Sequence, residues 1–235
     1  MALDGLILVI PDKPDPERDA LADVWSRRGG DVLRLGRFWD PPALEADRVR
    51  PYGSDSFVLV LQQKLCFDLC TPADELLLAF PAAYLQRRVE RRRLGDAGDL
   101  AFPAFVKSMA PKLFTSRVYP DAAALAHETA GLGGETEVLV AEVVSFEAEA
   151  RAFVLDGRVL DCAVYEGDAD VEAAAAFARD AAGAVALPRA VVVDVGYVAG
   201  RGWAVVELNP AWGAGLNGCD AERVWACIAA ASGPR

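Results

Sequence analysis

Three oxygen-bearing side chains toward the C-terminal end of the sequence are spaced for cation chemistry. Asp194 interrupts the apolar run Val193-Asp194-Val195-Gly196, and Glu207 and Asn209 stand in Val206-Glu207-Leu208-Asn209. With Gly200-Arg201 as a two-residue turn, antiparallel pairing joins Ala199 to Gly202, Val198 to Trp203 and, further along, Asp194 to Glu207. Side chains alternate along a strand, so Asn209 shares the face of Glu207 and Leu208 points the other way. Like charges set directly opposite each other destabilise a sheet pair. An oxygen-only cluster of Asp, Glu and Asn suits a hard cation, Mg²⁺ or Mn²⁺, held together with substrate phosphates, and such an ion would relieve the repulsion. A register slipped by one residue, or a wet sheet edge, would dissolve the cluster.

Other residues offer anion chemistry. Lys107 and Lys112 stand at or beside the ends of apolar segments, Phe105-Val106-Lys107-Ser108 and Lys112-Leu113-Phe114. A lysine ending a buried strand needs an anion nearby, for which a nucleotide phosphate is one candidate. Glu147, Glu149 and Arg151 alternate and so share one strand face, which is either solvated or lines a cleft. Arg87 and Arg88 open a basic stretch running to Arg93; on an otherwise acidic protein this is either a solvated helix face or a collector for an anionic substrate. Gly213-Ala214-Gly215-Leu216-Asn217-Gly218 matches G-x-G-x-x-G, but the segment after Gly218 reads as one helix instead of the strand and acidic residue of a dinucleotide fingerprint. Backbone N–H groups presented to an anion at a helix N-terminus are the more general use of such glycines.

Much else is excluded by composition. The 35 acidic residues outnumber the 24 basic ones, giving a net charge of −11, the wrong sign for coating nucleic acid. No apolar run approaches the roughly 20 residues of a membrane span, and Met1-Ala2-Leu3-Asp4 has no positive n-region, so the expectation is a cytoplasmic protein. The one histidine, His127, falls in an Ala-rich stretch with no G-x-S-x-G in the chain, and the five cysteines form no C-x-x-C pair. Zinc, triad and disulfide chemistry therefore lose their ligands and nucleophiles. The cysteines read as reduced core residues.

The elements that must position these groups are legible in outline. Leu6 to Ile10 reads as a strand, Asp15-Pro16 as a helix start before Leu21, Val24 and Trp25, then Asp31 to Leu35 and Phe57 to Leu61 as strands. Strand–helix alternation suggests a small parallel, Rossmann-like module over residues 1–80. Tyr84 to Arg93 is helical by period. From Ala101 the texture changes to strands at Phe102–Lys107, Leu113–Tyr119, Glu137–Val144, Glu147–Leu155 and Val159–Tyr165, with an Asp156-Gly157 hairpin turn. A helix capped by Asp170, strands Ala190–Val198 and Trp203–Leu208, and a last helix from Asp220 complete an α/β (α+β) chain.

Taken in order, Phe-Val-Lys, Lys-x-Phe-Thr, Val-Ala-Glu-Val-Val-Ser-Phe-Glu-x-Glu-x-Arg, Val-Asp-Val-Gly and Val-Val-Glu-x-Asn-x-x-Trp-Gly-x-Gly resemble the ATP-grasp superfamily. The likeness, from about residue 81 to 225, is strongest to the small bacterial clade marked by an arginine and two lysines. It implies an ATP-grasp domain over 81–235, with a nucleotide-binding lid at about 101–144 and a metal-binding subdomain at about 145–235. It also implies ATP as cofactor with Mg²⁺ (or Mn²⁺). Lys107 and Lys112 would contact the phosphates and the adenine side, and the backbone of Glu142 and Val144 would hold the adenine edge. Glu147 would face the ribose, Arg151 the γ-phosphate and acyl-phosphate, and Asp194, Glu207 and Asn209 the metal. From their charge, and not from the resemblance, Arg87 and Arg88 would steer or clamp an anionic acceptor. The implied activity is a carboxylate–amine (or thiol) ligase working through an acyl-phosphate on small-molecule or peptide carboxylates and amines, with no nucleic-acid or membrane partner and with homodimerisation open. A non-catalytic nucleotide-binding regulator or partner subunit, and a kinase that stops at phosphoryl transfer, are the alternatives. Only Ser108-Met109-Ala110-Pro111 separates the lysines, which leaves no room for the glycine-rich flap that many members fold over the phosphates.

Overall fold

The computed structural model describes residues 3–110 and 113–234. At the N-terminus, β1 (Ile7–Pro11) leads into α1 (Pro16–Arg27), β2 (Asp31–Leu35), β3 (Val49–Pro51), α2 (Asp55–Leu65) and β4 (Phe67–Leu69). The first three strands form a parallel sheet in the order β2-β1-β3. α1 starts where the sequence signals it: the Asp15 carboxylate accepts from Arg18 N at 3.0 Å, and Pro16 occupies the first helical position.

The expected strand at Phe57–Leu61 is instead part of α2. Phe57, Val58 and Leu61 are buried on one side while Leu59 is 41% exposed, a helical and not an alternating pattern. Cys66 then closes the helix in the left-handed region (φ 57°).

A 3₁₀ turn (Asp74–Ala79) precedes α3 (Ala82–Leu85) and β5 (Val89–Arg93). The helix expected over Tyr84–Arg93 thus lasts one turn. It ends at Gln86 (φ 51°), and the arginine run becomes the edge strand of the next sheet. That sheet contains β6 (Ala104–Ser108), β7 (Arg117–Tyr119) and, after α4 (Ala122–Glu128), β8 (Glu137–Glu142), in the order β5-β8-β6-β7. Cross-strand partners override helix propensity here: Arg91 meets Glu137 at 3.6 Å and Arg93 meets Glu135 at 2.8 Å, and the charges also keep the edge from pairing with other chains. Strand β7 is shorter than the expected Leu113–Tyr119. His127 is an exposed residue of α4, as its Ala-rich surroundings imply.

The large sheet is antiparallel, built from β9 (Phe146–Leu155), β10 (Arg158–Gly167), then after α5 (Val171–Ala184) β11 (Ala190–Val198) and β12 (Gly202–Pro210), in the order β10-β9-β11-β12. The hairpin turn between β9 and β10 has positive φ at Asp156 (49°) and Gly157 (73°), as a two-residue turn requires. Ala150, Ala152, Val191 and Val193 bury one face beneath Ala174, Ala178 and Ala181 of α5. Phe153, Ala190 and Val192 face the opposite way, into a core shared with α6 (Ala221–Ala230) and the N-terminal sheet. Arg151 and Asp194 belong to this second face by alternation. Finally β13 (Ser232–Pro234) pairs antiparallel with β4, stitching the chain's end to its first third. Not all cysteines are core: Cys219 and Cys227 are buried, Cys66 is exposed, and all five are free.

Candidate functional site

A bulge decides the register of the metal-type cluster. Observed pairs run Val198 to Gly202, Tyr197 to Trp203, Gly196 to Ala204 and Val195 to Val205, then shift so that Asp194 meets Glu207. The connection is therefore Ala199-Gly200-Arg201, one residue longer than expected, and a bulge at Val206 restores the Asp194–Glu207 pairing. The bulge also corrects parity. Val205 packs in the core beneath α5, and simple alternation would put Glu207 beside it; one extra residue turns Glu207 and Asn209 to the side of Arg151 and Asp194.

Repulsion between the opposed carboxylates is offset by the protein itself. Arg151 donates from Nε to Asp194 Oδ1 (2.8 Å) and from Nη2 to Oδ2 (2.7 Å), a bidentate pair in which Asp194 is 1% exposed. Asn209 Nδ2 bridges the two acids, at 2.9 Å to Asp194 and 2.8 Å to Glu207. Burial pulls the Arg151 guanidinium down, but the bond and charge of Asp194 outweigh it and hold it above its ordinary value. Strain from two facing charges, expected of the metal-free protein, is thus absent because an arginine supplies the positive charge. Asn209 turns its amide nitrogen to both acids and hence its oxygen away from them. The exposed Glu207 alone offers an oxygen to a hard cation in this arrangement; Asn209 would join it by turning its amide over, and Asp194 only if the guanidinium leaves. Among the described residues no group of three or more His, Cys, Asp and Glu side chains is arranged to hold a metal.

Glu207 also lines a cavity of about 390 Å³ between the two larger sheets. Its walls are largely apolar, with Phe105, Leu139, Val144 and Phe146 among them, and Lys107, Glu142 and Arg87 supply polar groups. Phe105 and Lys107 share one face of β6, whose other face, Ala104 and Val106, packs on Tyr119 and Leu125. Phe146 can lie against β11 because residue 196 is glycine: a Cβ there would stand 2.4 Å from its ring.

Four of the expected nucleotide contacts separate clearly. Lys107, Glu142 and Val144 converge on the cavity, while Glu147 is exposed at the start of β9 and is not part of its lining. Lys112 lies outside the described residues. Lys107 already holds an anion, Asp74, at 2.7 Å. The Glu142 carboxylate accepts from Arg201 Nη2 (2.9 Å) and Arg88 N (3.1 Å), and the Arg201 bond keeps it below its usual value. Arg87 is no free acceptor clamp: it donates to the carbonyls of Val205 (2.8 Å) and Val206 (2.9 Å) and sits over Phe146, so it ties α3 to the bulge. Arg88 is exposed.

The glycine loop works differently from its expectation. The start of α6 is capped by Asp220, which accepts from Glu222 N at 2.8 Å, so no helix N-terminus is offered to a ligand. The anion cradle lies earlier, at Leu216 N and Asn217 N, which donate to Glu17 Oε2 (2.8 Å) and Oε1 (2.7 Å). Arg151 Nη1 donates to Gly215 O at 2.9 Å, which puts cradle and guanidinium side by side. No cysteine nearby is primed as a nucleophile, since burial pushes the Cys162 thiol up to about 11 and that of Cys219 to about 12. Asp74, Glu17, Phe146 and Arg201 carry no local signal in the sequence; their partners are too far along the chain.

The fold thus brings together an apolar cavity with a lysine and an acid, a buried arginine linked to it through Asn209, and an N–H cradle beside that arginine. Residues 84–227 match the ATP-grasp domain of the clade named for one arginine and two lysines, in its second family, and the chain belongs to that family. A search of the curated proteins finds no match. Among solved structures the fold is similar to a RimK domain protein ATP-grasp from Sphaerobacter thermophilus, with TM-score 0.61 and 17% identity over 94% of this chain and 98% of the other. D-cycloserine synthetase DcsG gives TM-score 0.62 and 15% identity over 96% and 99%. The ATP-grasp ligase PsnB, complexed with a minimal precursor, gives TM-score 0.53 and 13% identity over 97% and 99%. Among the described residues no helix is long and apolar enough to cross a membrane.

Proposed function

We propose that this protein is an ATP-dependent, ADP-forming carboxylate–amine (or thiol) ligase that works through an acyl-phosphate. The observation that carries the reading is the contiguity of the cavity holding Lys107 and Glu207 with the sheet face holding Arg151, joined through Asn209. The cavity would seat the nucleotide base between Phe105, Leu139 and Phe146, with the backbone of Glu142 and Val144 at its edge. Lys107 would exchange Asp74 for a phosphate. Glu207 and Asn209 are the residues that would hold Mg²⁺, with Asp194 joining on release of Arg151; the ion supplies charge screening for the transferring phosphoryl group. Arg151, joined to Asn209 through Asp194, would face the γ-phosphate.

Such chemistry asks for positioning and electrostatics, not for a covalent nucleophile. High thiol pKa values and the absence of a primed histidine agree with that demand. The neighbours named as ligases and synthetases support the class. A small-molecule or peptide carboxylate and an amine are the proposed substrates, in a protein working in the cytoplasm. The test is ADP and phosphate release from Mg·ATP with panels of carboxylates and amines, with hydroxylamine as a trap for acyl-phosphate. Hydroxamate formation dependent on both ATP and a carboxylate is expected. Nucleotide binding without ADP release under any pairing would favour the non-catalytic regulator, and release of a stable phosphorylated product the kinase.

A further inference from the structure

Three anion-binding elements of the site are, among the described residues, filled by carboxylates of the chain: Lys107 by Asp74, Arg151 by Asp194, and the loop N–H groups by Glu17. Glu17 stands apart. It comes from the first turn of α1, 199 and 200 residues from its partners, and is only half-buried. Both its oxygens are used, one per N–H, so the loop grips a planar oxyanion by two parallel bonds. The loop is shaped for this by Asn217 (φ 47°) and Gly218 (φ 87°) in the left-handed region. It is also shaped by Gly215, where a Cβ would lie 2.8 Å from Glu17 Oε2 and 3.9 Å from Arg151 Nη1. Arg151 Nη1 and the Glu17 carboxylate therefore flank the same glycine. Tyr52 braces the loop through a 2.8 Å bond to Ala214 O, and its phenol, raised chiefly by burial, also senses Glu17, Asp15, Arg18 and Arg151. Gripping of a side chain by backbone alone, beside the arginine that the ligase mechanism needs, is more than docking of α1 requires.

We propose that Glu17 is an internal competitor for the acceptor: the cradle of Leu216 N and Asn217 N takes the carboxylate of the acyl substrate, and Glu17 must leave for it to bind. This inference rests on the ligase reading above and adds to it a subsite and the residue that guards it. Glu17 thereby sets selectivity, because only a carboxylate with further contacts outbids a tethered one. An acceptor's apparent affinity is reduced by the fraction of molecules in which the cradle is closed.

The experiment compares wild type with Glu17→Gln and Glu17→Ala in the full chain, saturated with Mg·AMP-PNP, by calorimetric titration of N-acetylglycine, acetate and inorganic phosphate. N-acetylglycine is larger than the carboxymethyl group that Glu17→Ala removes, whereas acetate matches it. At least about tenfold tighter N-acetylglycine binding is expected in both variants, with AMP-PNP affinity unchanged; that gain corresponds to a cradle closed in about 90% or more of wild-type molecules. A gain confined to acetate is hole-filling and overturns the proposal, as does one confined to phosphate. Unaltered anion binding, or none detectable in any of the three proteins, overturns the proposal, and a lowered melting temperature would then make Glu17 a structural tie only. Should Glu17→Ala fail to fold, Glu17→Gln, which keeps the side-chain volume, decides alone. Failure of wild type to bind AMP-PNP would count against the ligase reading, and the anion titrations without nucleotide would still test the cradle.

Discussion

Replacing Asp194 by Asn tests what holds the centre of the site together. Asp194 is 1% exposed and Arg151's side chain 11%, so the pair sits where removal of one charge leaves the other almost without water. Orphaning one partner of a buried pair costs about 3–5 kcal/mol. The amide keeps the shape and one acceptor oxygen, but it turns an N–H₂ toward the Arg151 or Asn209 donors, so about 3 kcal/mol is expected. At roughly 2–4 °C per kcal/mol for a chain of this size, the melting temperature should fall by about 6–12 °C without any nucleotide or metal. Glu207→Gln is the control: Glu207 is exposed, so stability should hold while Mg²⁺-dependent nucleotide binding weakens. The double replacement Arg151→Met, Asp194→Leu should recover most of the loss, because an apolar pair of similar volume carries no desolvation cost. Thermal unfolding of the four proteins decides. Wild-type stability or better in Asp194→Asn would show that repulsion from Glu207 outweighs the Arg151 bond, and the charge assignment would be wrong.

Lys107→Ala should weaken AMP-PNP binding by about 1.5–3 kcal/mol, the worth of a charge-assisted hydrogen bond, with little loss of stability because its bond to Asp74 is half-exposed; calorimetry measures both. Gly196→Ala should drive Phe146 off β11 and cost about 1–3 kcal/mol by overpacking, seen as a lower melting temperature and a weaker nucleotide complex. Arg201 lowers the Glu142 carboxyl from 4.5, so its small contribution is complete above that unfolded value and is lost as pH falls through the folded one. The stability difference between wild type and Glu142→Gln should accordingly be constant near neutrality and shrink on acidification, as a pH series of melting curves will show.

What could be read from the sequence was whatever local periodicity and short spacing encode. The caps at Asp15, Asp170 and Asp220, the Asp156-Gly157 turn and the bounds of β11 are each set by a few consecutive residues, and they appear in the structure where expected. Asp194 and Glu207 pair as hairpin arithmetic says, although by way of a longer loop and a bulge at Val206 that compensate each other. Two elements differ from expectation because period alone is ambiguous. Phe57–Leu61 is short and apolar enough for either state and was settled by which of its faces meets the core, and Val89–Arg93 extends because β8 offers it partners that an isolated helix would not have. The pairings at the site were beyond reach for a different reason. Glu17 with Leu216, Asp74 with Lys107, Arg201 with Glu142 and Arg151 with Asp194 join separate elements, and a charge in a sequence names no partner. Residue types led to the expectation of a site for anions and a hard cation. Which carboxylate rests on which donor was settled only when the sheets and the N-terminal helix packed together, because burial makes an uncompensated polar group costly and these donors took the acids that the fold placed within their reach.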